Sequence, residues 1–186
     1  MTIATGRLTL EEFLKLPETK PASEYIEGEI IQKPLPKTKH SLLQLRTCNE
    51  INQVTQTPKI AYAFPELRCT FGGRSIVPDI AVFEWPRIPL NSLGKIENRF
   101  EIAPDWTIEI LSPEQSSSRV INKILFCLKN HTKLGWMIDP EEELVFVYFA
   151  DRTLAVFEEP GDRIPVPTFA DSFNLTVGEM LSWLTE

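Results

Sequence analysis

Asp79 sits inside an otherwise apolar run, Val77-Pro78-Asp79-Ile80-Ala81-Val82-Phe83. A carboxylate in such a strand is expensive to bury unless a cation or hydrogen-bond donors meet it. A second run, Trp106-Thr107-Ile108-Glu109-Ile110-Leu111, repeats the pattern. Strand side chains alternate, so Glu109 faces away from Ile108 and Ile110. A fold built on these two strands must bring something charged or polar to each acid.

Register supplies a third acid. Gly72-Gly73 lies between two apolar runs, 60–71 and 74–83, and glycine pairs favour tight two-residue hairpins. Cross-strand partners then have numbers that add to 145, which sets Glu66 opposite Asp79. Two facing carboxylates repel, and a hard divalent cation such as Mg²⁺ converts that repulsion into binding. Lys123 completes the set. It lies about 10 Å along a helix that Ser116 would cap, and Glu109 lies about 7 Å back from its strand end. If the helix folds back on the strand, lysine and glutamate reach similar depth. Acids that bind a metal, together with an ammonium, suit hydrolysis of a phosphodiester: the metal activates water and the lysine meets developing charge.

The remaining elements follow from spacing. Thr9-x-x-Glu12 and Thr176-x-x-Glu179 read as capping boxes, opening helices through Leu16 and Leu184. Glu24 to Ile31 reads as a strand pair or a strand with a turn around Glu27-Gly28, and residues 38–55 as a helix. Residues 84–105 form a Pro-containing loop, a helix runs from Ser116 to about Leu134, and strands fall at 134–139, 143–149 and 152–158. The expected architecture is one α/β (α+β) domain over residues 1–186, a mixed β-sheet flanked by helices. Cys48, Cys69 and Cys127 contain no CxxC pair, which suits buried free thiols rather than a zinc cage. No apolar run has the length of a membrane span, and residues 1–10 lack a signal-peptide layout, so a cytoplasmic protein is expected.

Pro78-Asp79, Glu109-Ile-Leu-Ser-Pro113, Lys123, Gly135-Trp136 and Asp139-Pro140, in that order, resemble the Uma2-like (DUF820) family of the PD-(D/E)XK nuclease superfamily. The resemblance runs from Leu8 to Leu184 and takes in Glu24 to Glu29 and His40. It implies a restriction-endonuclease-like core that binds Mg²⁺, or Mn²⁺ in its place, at Asp79 and Glu109. The usual superfamily lysine lies two residues after the acid, where this chain has Leu111; Lys123 matches the variant that moves it to the next helix. Family members often carry an Asp between Ser-Pro and that lysine, where this chain has Ser116-Ser117-Ser118-Arg119. The resemblance also makes Glu24 a neighbour of the site. The implied activity is a Mg²⁺-dependent endonuclease cutting DNA, and a homodimer follows by analogy.

Blander assignments stay open. Asp79 could mark a strand edge, Glu109 could pair with Arg119 or Lys123, and Lys123 could be a solvated helix lysine. Glu66 depends on the register, since a one-residue slip flips it. His40, after Lys37 and Lys39, could touch substrate phosphate or sit at a helix terminus on the surface. Trp85 could stack on substrate. The chain could also be a non-catalytic interaction module, or act on a small phosphoester.

The net charge of −7 argues against nucleic acid only on average. Residues 139–186 hold 2 Lys+Arg and 11 Asp+Glu, whereas 1–138 hold 17 and 15. The stretch 30–49, with Lys33, Lys37, Lys39 and Arg46, has no acid and reads as a phosphate-facing edge.

Overall fold

The computed structural model describes residues 8–185. Thr9 caps α1 (Leu10–Phe13): its hydroxyl accepts from the Glu12 N–H at 3.2 Å, and the Glu12 carboxylate accepts from the Thr9 N–H at 2.8 Å. The helix stops at Phe13, short of the expected Leu16. β1 (Ser23–Ile26) and β2 (Glu29–Gln32) form an antiparallel hairpin. Its turn residues Glu27 and Gly28 have φ of 53° and 90°. α2 (Thr38–Thr55) has the bounds its spacing predicts.

The long hairpin divides. Where two strands were expected there are four: β3 (Ala61–Pro65), β4 (Cys69–Phe71), β5 (Arg74–Ile76) and β6 (Ile80–Glu84). Gly72 and Gly73, with φ of 56° and 78°, make the tight turn and pair Phe71 with Arg74. The register then survives the break, because Pro65 still faces Ile80 and Ala61 still faces Glu84. Two local features cause the break. Pro78 has no N–H to give to a ladder, and Glu66 adopts a left-handed φ of 47°. The turn half joins one sheet and the far half joins another.

Downstream come β7 (Trp106–Ile110), α3 (Ser117–Lys129), β8 (Leu134–Asp139), β9 (Leu144–Phe149), β10 (Leu154–Phe157) and α4 (Val177–Ser182). Thr176 and Glu179 form the second capping box. The larger sheet runs β10-β9-β8-β7-β6-β3, and the smaller runs β2-β1-β5-β4. β7 and β8 are parallel and α3 connects them, whereas the other pairs of the larger sheet are antiparallel. It is therefore a mixed sheet flanked by helices.

Alternation along β7 sets what each face meets. Ile108 and Ile110 pack with Leu43 and Ile51 of α2 and with Phe173 and Met180 from the C-terminal segment. On the other face, Val120, Ile124 and Leu128 of α3 pack on Met137 and Tyr148. Glu109 has the opposite parity to Ile108 and so points to the α3 side. Gly135 makes that approach possible, because a Cβ there would fall 2.4 Å from Ile124 Cγ2. The three cysteines are free and buried.

Candidate active site

Asp79 occupies the kink between β5 and β6, 2% exposed. Both of its carboxylate oxygens meet donors or cations. Lys33 Nζ lies 2.7 Å from Oδ1 and also donates to the Val77 carbonyl at 2.9 Å. On the other oxygen, Oδ2 accepts from the Ile110 N–H at 2.7 Å, and His40 Nε2 lies 3.1 Å away. Burial works against the charge of Asp79, but the Lys33 ammonium and then His40 outweigh it and hold the carboxyl well below the usual range.

Glu109, 1% exposed, has a poorer environment. Lys123 Nζ approaches Oε2 to 2.9 Å as an ion pair, yet neither carboxylate oxygen accepts a well-directed hydrogen bond from the described residues. Burial pushes this carboxyl up to about 8, against the pull of Lys123, and the Asp79 charge adds to the rise. Lys123 is buried as well, which opposes its charge; Glu109, Glu24 and Asp79 nevertheless hold the ammonium above the ordinary lysine range. Glu24 Oε1 links the two halves, accepting from Lys123 Nζ at 3.0 Å and from the Val77 N–H at 2.7 Å.

Five of the residues nominated from sequence therefore meet in one buried network: Asp79, Glu109, Lys123, Glu24 and His40. The surface-histidine alternative for His40 is excluded, since it is 7% exposed and sits against Asp79. Glu66 does not complete a carboxylate cage. Its backbone N–H donates to the Asp79 carbonyl at 3.1 Å, as the register requires, but its left-handed backbone sends the side chain outward. Its carboxylate is half exposed and 3.9 Å from Lys33. Among the described residues, no three His, Cys, Asp or Glu groups stand together as a metal-binding set. The cation between Glu66 and Asp79 is Lys33 itself.

Lys37 and Lys39 also stay outside the cluster, paired on the surface with Glu114 at 3.1 Å and Glu141 at 3.0 Å. Trp85 lies beyond the far end of β6 from Asp79, packed edge-on against Tyr62 and under Lys59, so it is no stacking platform for this site. Lys33 is the residue that sequence reasoning placed in a basic edge and not in the site. His40 did carry a usable signal: it shares the buried stripe of α2 with Leu43, Thr47 and Ile51. Gln44, one turn on, donates to the Asp79 carbonyl at 2.7 Å.

The profile of the Uma2 family, described as "Putative restriction endonuclease", matches residues 10–178. A crystal structure of "a putative nuclease belonging to DUF820" from Anabaena variabilis ATCC 29413 is 57% identical, with TM-score 0.93 over 95% of this chain and 98% of that one. No curated protein matches. A match over that span, joined to a nuclease fold and a buried acid–lysine network, establishes that the chain belongs to the Uma2 family.

Proposed function

We propose that this network is the catalytic centre of a divalent-metal-dependent endonuclease acting on DNA. The observation that carries the proposal is Glu109: a fully buried carboxylate that meets the buried Lys123 ammonium at one oxygen and, among the described residues, has no other donor at either. An acid kept in that state is costly for a structural role and suits one that must receive a ligand.

The donor set fits Mg²⁺, which is commonly held by one or two carboxylates with water and substrate phosphate completing the shell. Glu109 and Asp79 would hold it, with Mn²⁺ as a substitute and with Glu66 left at the rim. When bound, the ion would supply Lewis-acid activation of the phosphodiester and of the attacking water. The chain's own groups do the rest. Lys123 places a fixed positive charge next to Glu109, where it can meet charge developing on phosphate. Glu24 positions Lys123, while Lys33 and His40 fix the orientation and charge of Asp79.

Asp79→Ala and Glu109→Ala should each abolish Mg²⁺-dependent cleavage of labelled DNA, supplied both single-stranded and as a duplex, and calorimetry with Mn²⁺ should show lost binding in Glu109→Ala. Cleavage undiminished in both folded variants would overturn the assignment. A second reading has its own observation: Asp79 is already saturated by Lys33, His40 and the Ile110 amide, as a structural carboxylate would be. A folded wild-type protein that binds neither Mg²⁺ nor Mn²⁺ would favour that non-catalytic module.

A further inference from the structure

A groove of about 920 Å³ opens on the α3 side of the protein, and Glu24, Lys33 and Lys123 form part of its lining. Its lining carries charge of both signs, unevenly arranged. Along α3, Arg119, Asn122, Phe126 and Lys129 recur at helical spacing and share a face. Arg119 and Lys129 are about 15 Å apart along the axis. Arg74 lies over the Phe126 ring at 4.3 Å, and Arg152 enters from the turn between β9 and β10. The β1–β2 hairpin contributes Glu27 and Glu29 instead.

Pairing sharpens the contrast. Glu27 is joined to Arg74, whereas Arg119, Lys129 and Arg152 are exposed and make no ion pair among the described residues. Unpaired cations on one helix face, in a chain of net charge −7, form a local track for anions. Lys37 and Lys39, which the sequence nominated for phosphate, are instead held by Glu114 and Glu141.

We infer that one strand of the nucleic acid runs along α3 in this groove, its phosphates against Arg119, Lys129 and Arg152. One basic wall accepts one phosphate chain, and the exposed Glu29 on the facing hairpin repels a second. The occupant is therefore a single strand or an unpaired end, led down to the buried cluster, and not an intact duplex. The identity of the ligand rests on the nuclease reading, but binding along α3 does not require catalysis.

The test is fluorescence polarisation of a labelled oligonucleotide, single-stranded and as a duplex, with the full chain in EDTA. The single strand should bind about tenfold more tightly than the duplex. Arg119→Gln/Lys129→Gln should weaken single-strand binding about tenfold and flatten its log–log salt dependence by about 1.4. Lys39→Gln, whose partner Glu141 lies outside the groove lining, should leave both unchanged, and Glu29→Lys should raise duplex affinity. Duplex preference, or wild-type binding by Arg119→Gln/Lys129→Gln, would overturn the inference. Binding that follows this pattern in a protein without cleavage would refute the nuclease proposal alone. Intact cleavage with groove variants that bind as wild type would refute the groove alone.

Discussion

Asp79 and Glu109 are equally buried, yet their surroundings are opposites. Asp79 has an ammonium, an imidazole and a backbone amide, each within 3.1 Å of a carboxylate oxygen. Glu109 has one ammonium beside it and, among the described residues, no further donor. Burial alone therefore does not set the state of a carboxylate; the count and aim of its donors do. One acid is a fixed anion that holds the kink between β5 and β6 together. The other is held at a cost to the fold, so of the two proposed metal ligands Glu109 is the more open to a cation and Asp79 must share its oxygens with donors already in place.

The largest effect should come from breaking the anchor. Asp79→Ala leaves Lys33 buried without its carboxylate partner and the Ile110 N–H orphaned, and should cost about 3–5 kcal/mol in urea unfolding. A loss below about 1 kcal/mol would mean that the network is not structural.

Glu109→Gln should lie within about 1 kcal/mol of wild type, or above it, because burial already disfavours the charge of this carboxyl and Lys123 keeps Glu24 as its partner. With chelator present, this difference should depend on pH. The folded carboxyl is raised to about 8, above its unfolded value, so the folded state binds the extra proton between the two. Wild-type stability from this group therefore falls as pH rises through that window, and the advantage of Glu109→Gln should widen up to about pH 8. A flat difference would show that Glu109 is ionised throughout.

The smallest effect belongs to the surface pairs. Lys37→Ala and Lys39→Ala should each change stability by about 0.5 kcal/mol or less, since exposed ion pairs are solvated and mobile. That sets the baseline against which the Asp79 loss is read.

Much of this contrast was legible in the chain. Acids embedded in apolar strands announced Asp79 and Glu109, and a glycine pair set a register that carries through both sheets. Helix and strand geometry put Lys123 at the depth of Glu109, where the two meet at 2.9 Å. Lys33 was not legible in the same way. It follows β2 as one more basic residue, and its partner is 46 positions away. Glu66 failed for a different reason: the register was correct, but a backbone φ of 47° turned the side chain out of the plane that pairing alone implies.

The amino-acid sequence by itself determined most of the helices and strands, though not the division of the long hairpin into four, and with them the hairpin register, the two buried acids and the helix that brings Lys123 to one of them. These follow from local rules of turn geometry and side-chain periodicity, which act over a few residues. Tertiary structure alone decided which cation stands at which acid, that Lys33 takes the place between Glu66 and Asp79, and that Glu109 has, among the described residues, Lys123 alone beside it. Those outcomes depend on packing two sheets and two helices against each other. Side-chain charge then settles wherever long-range contacts leave a buried partner.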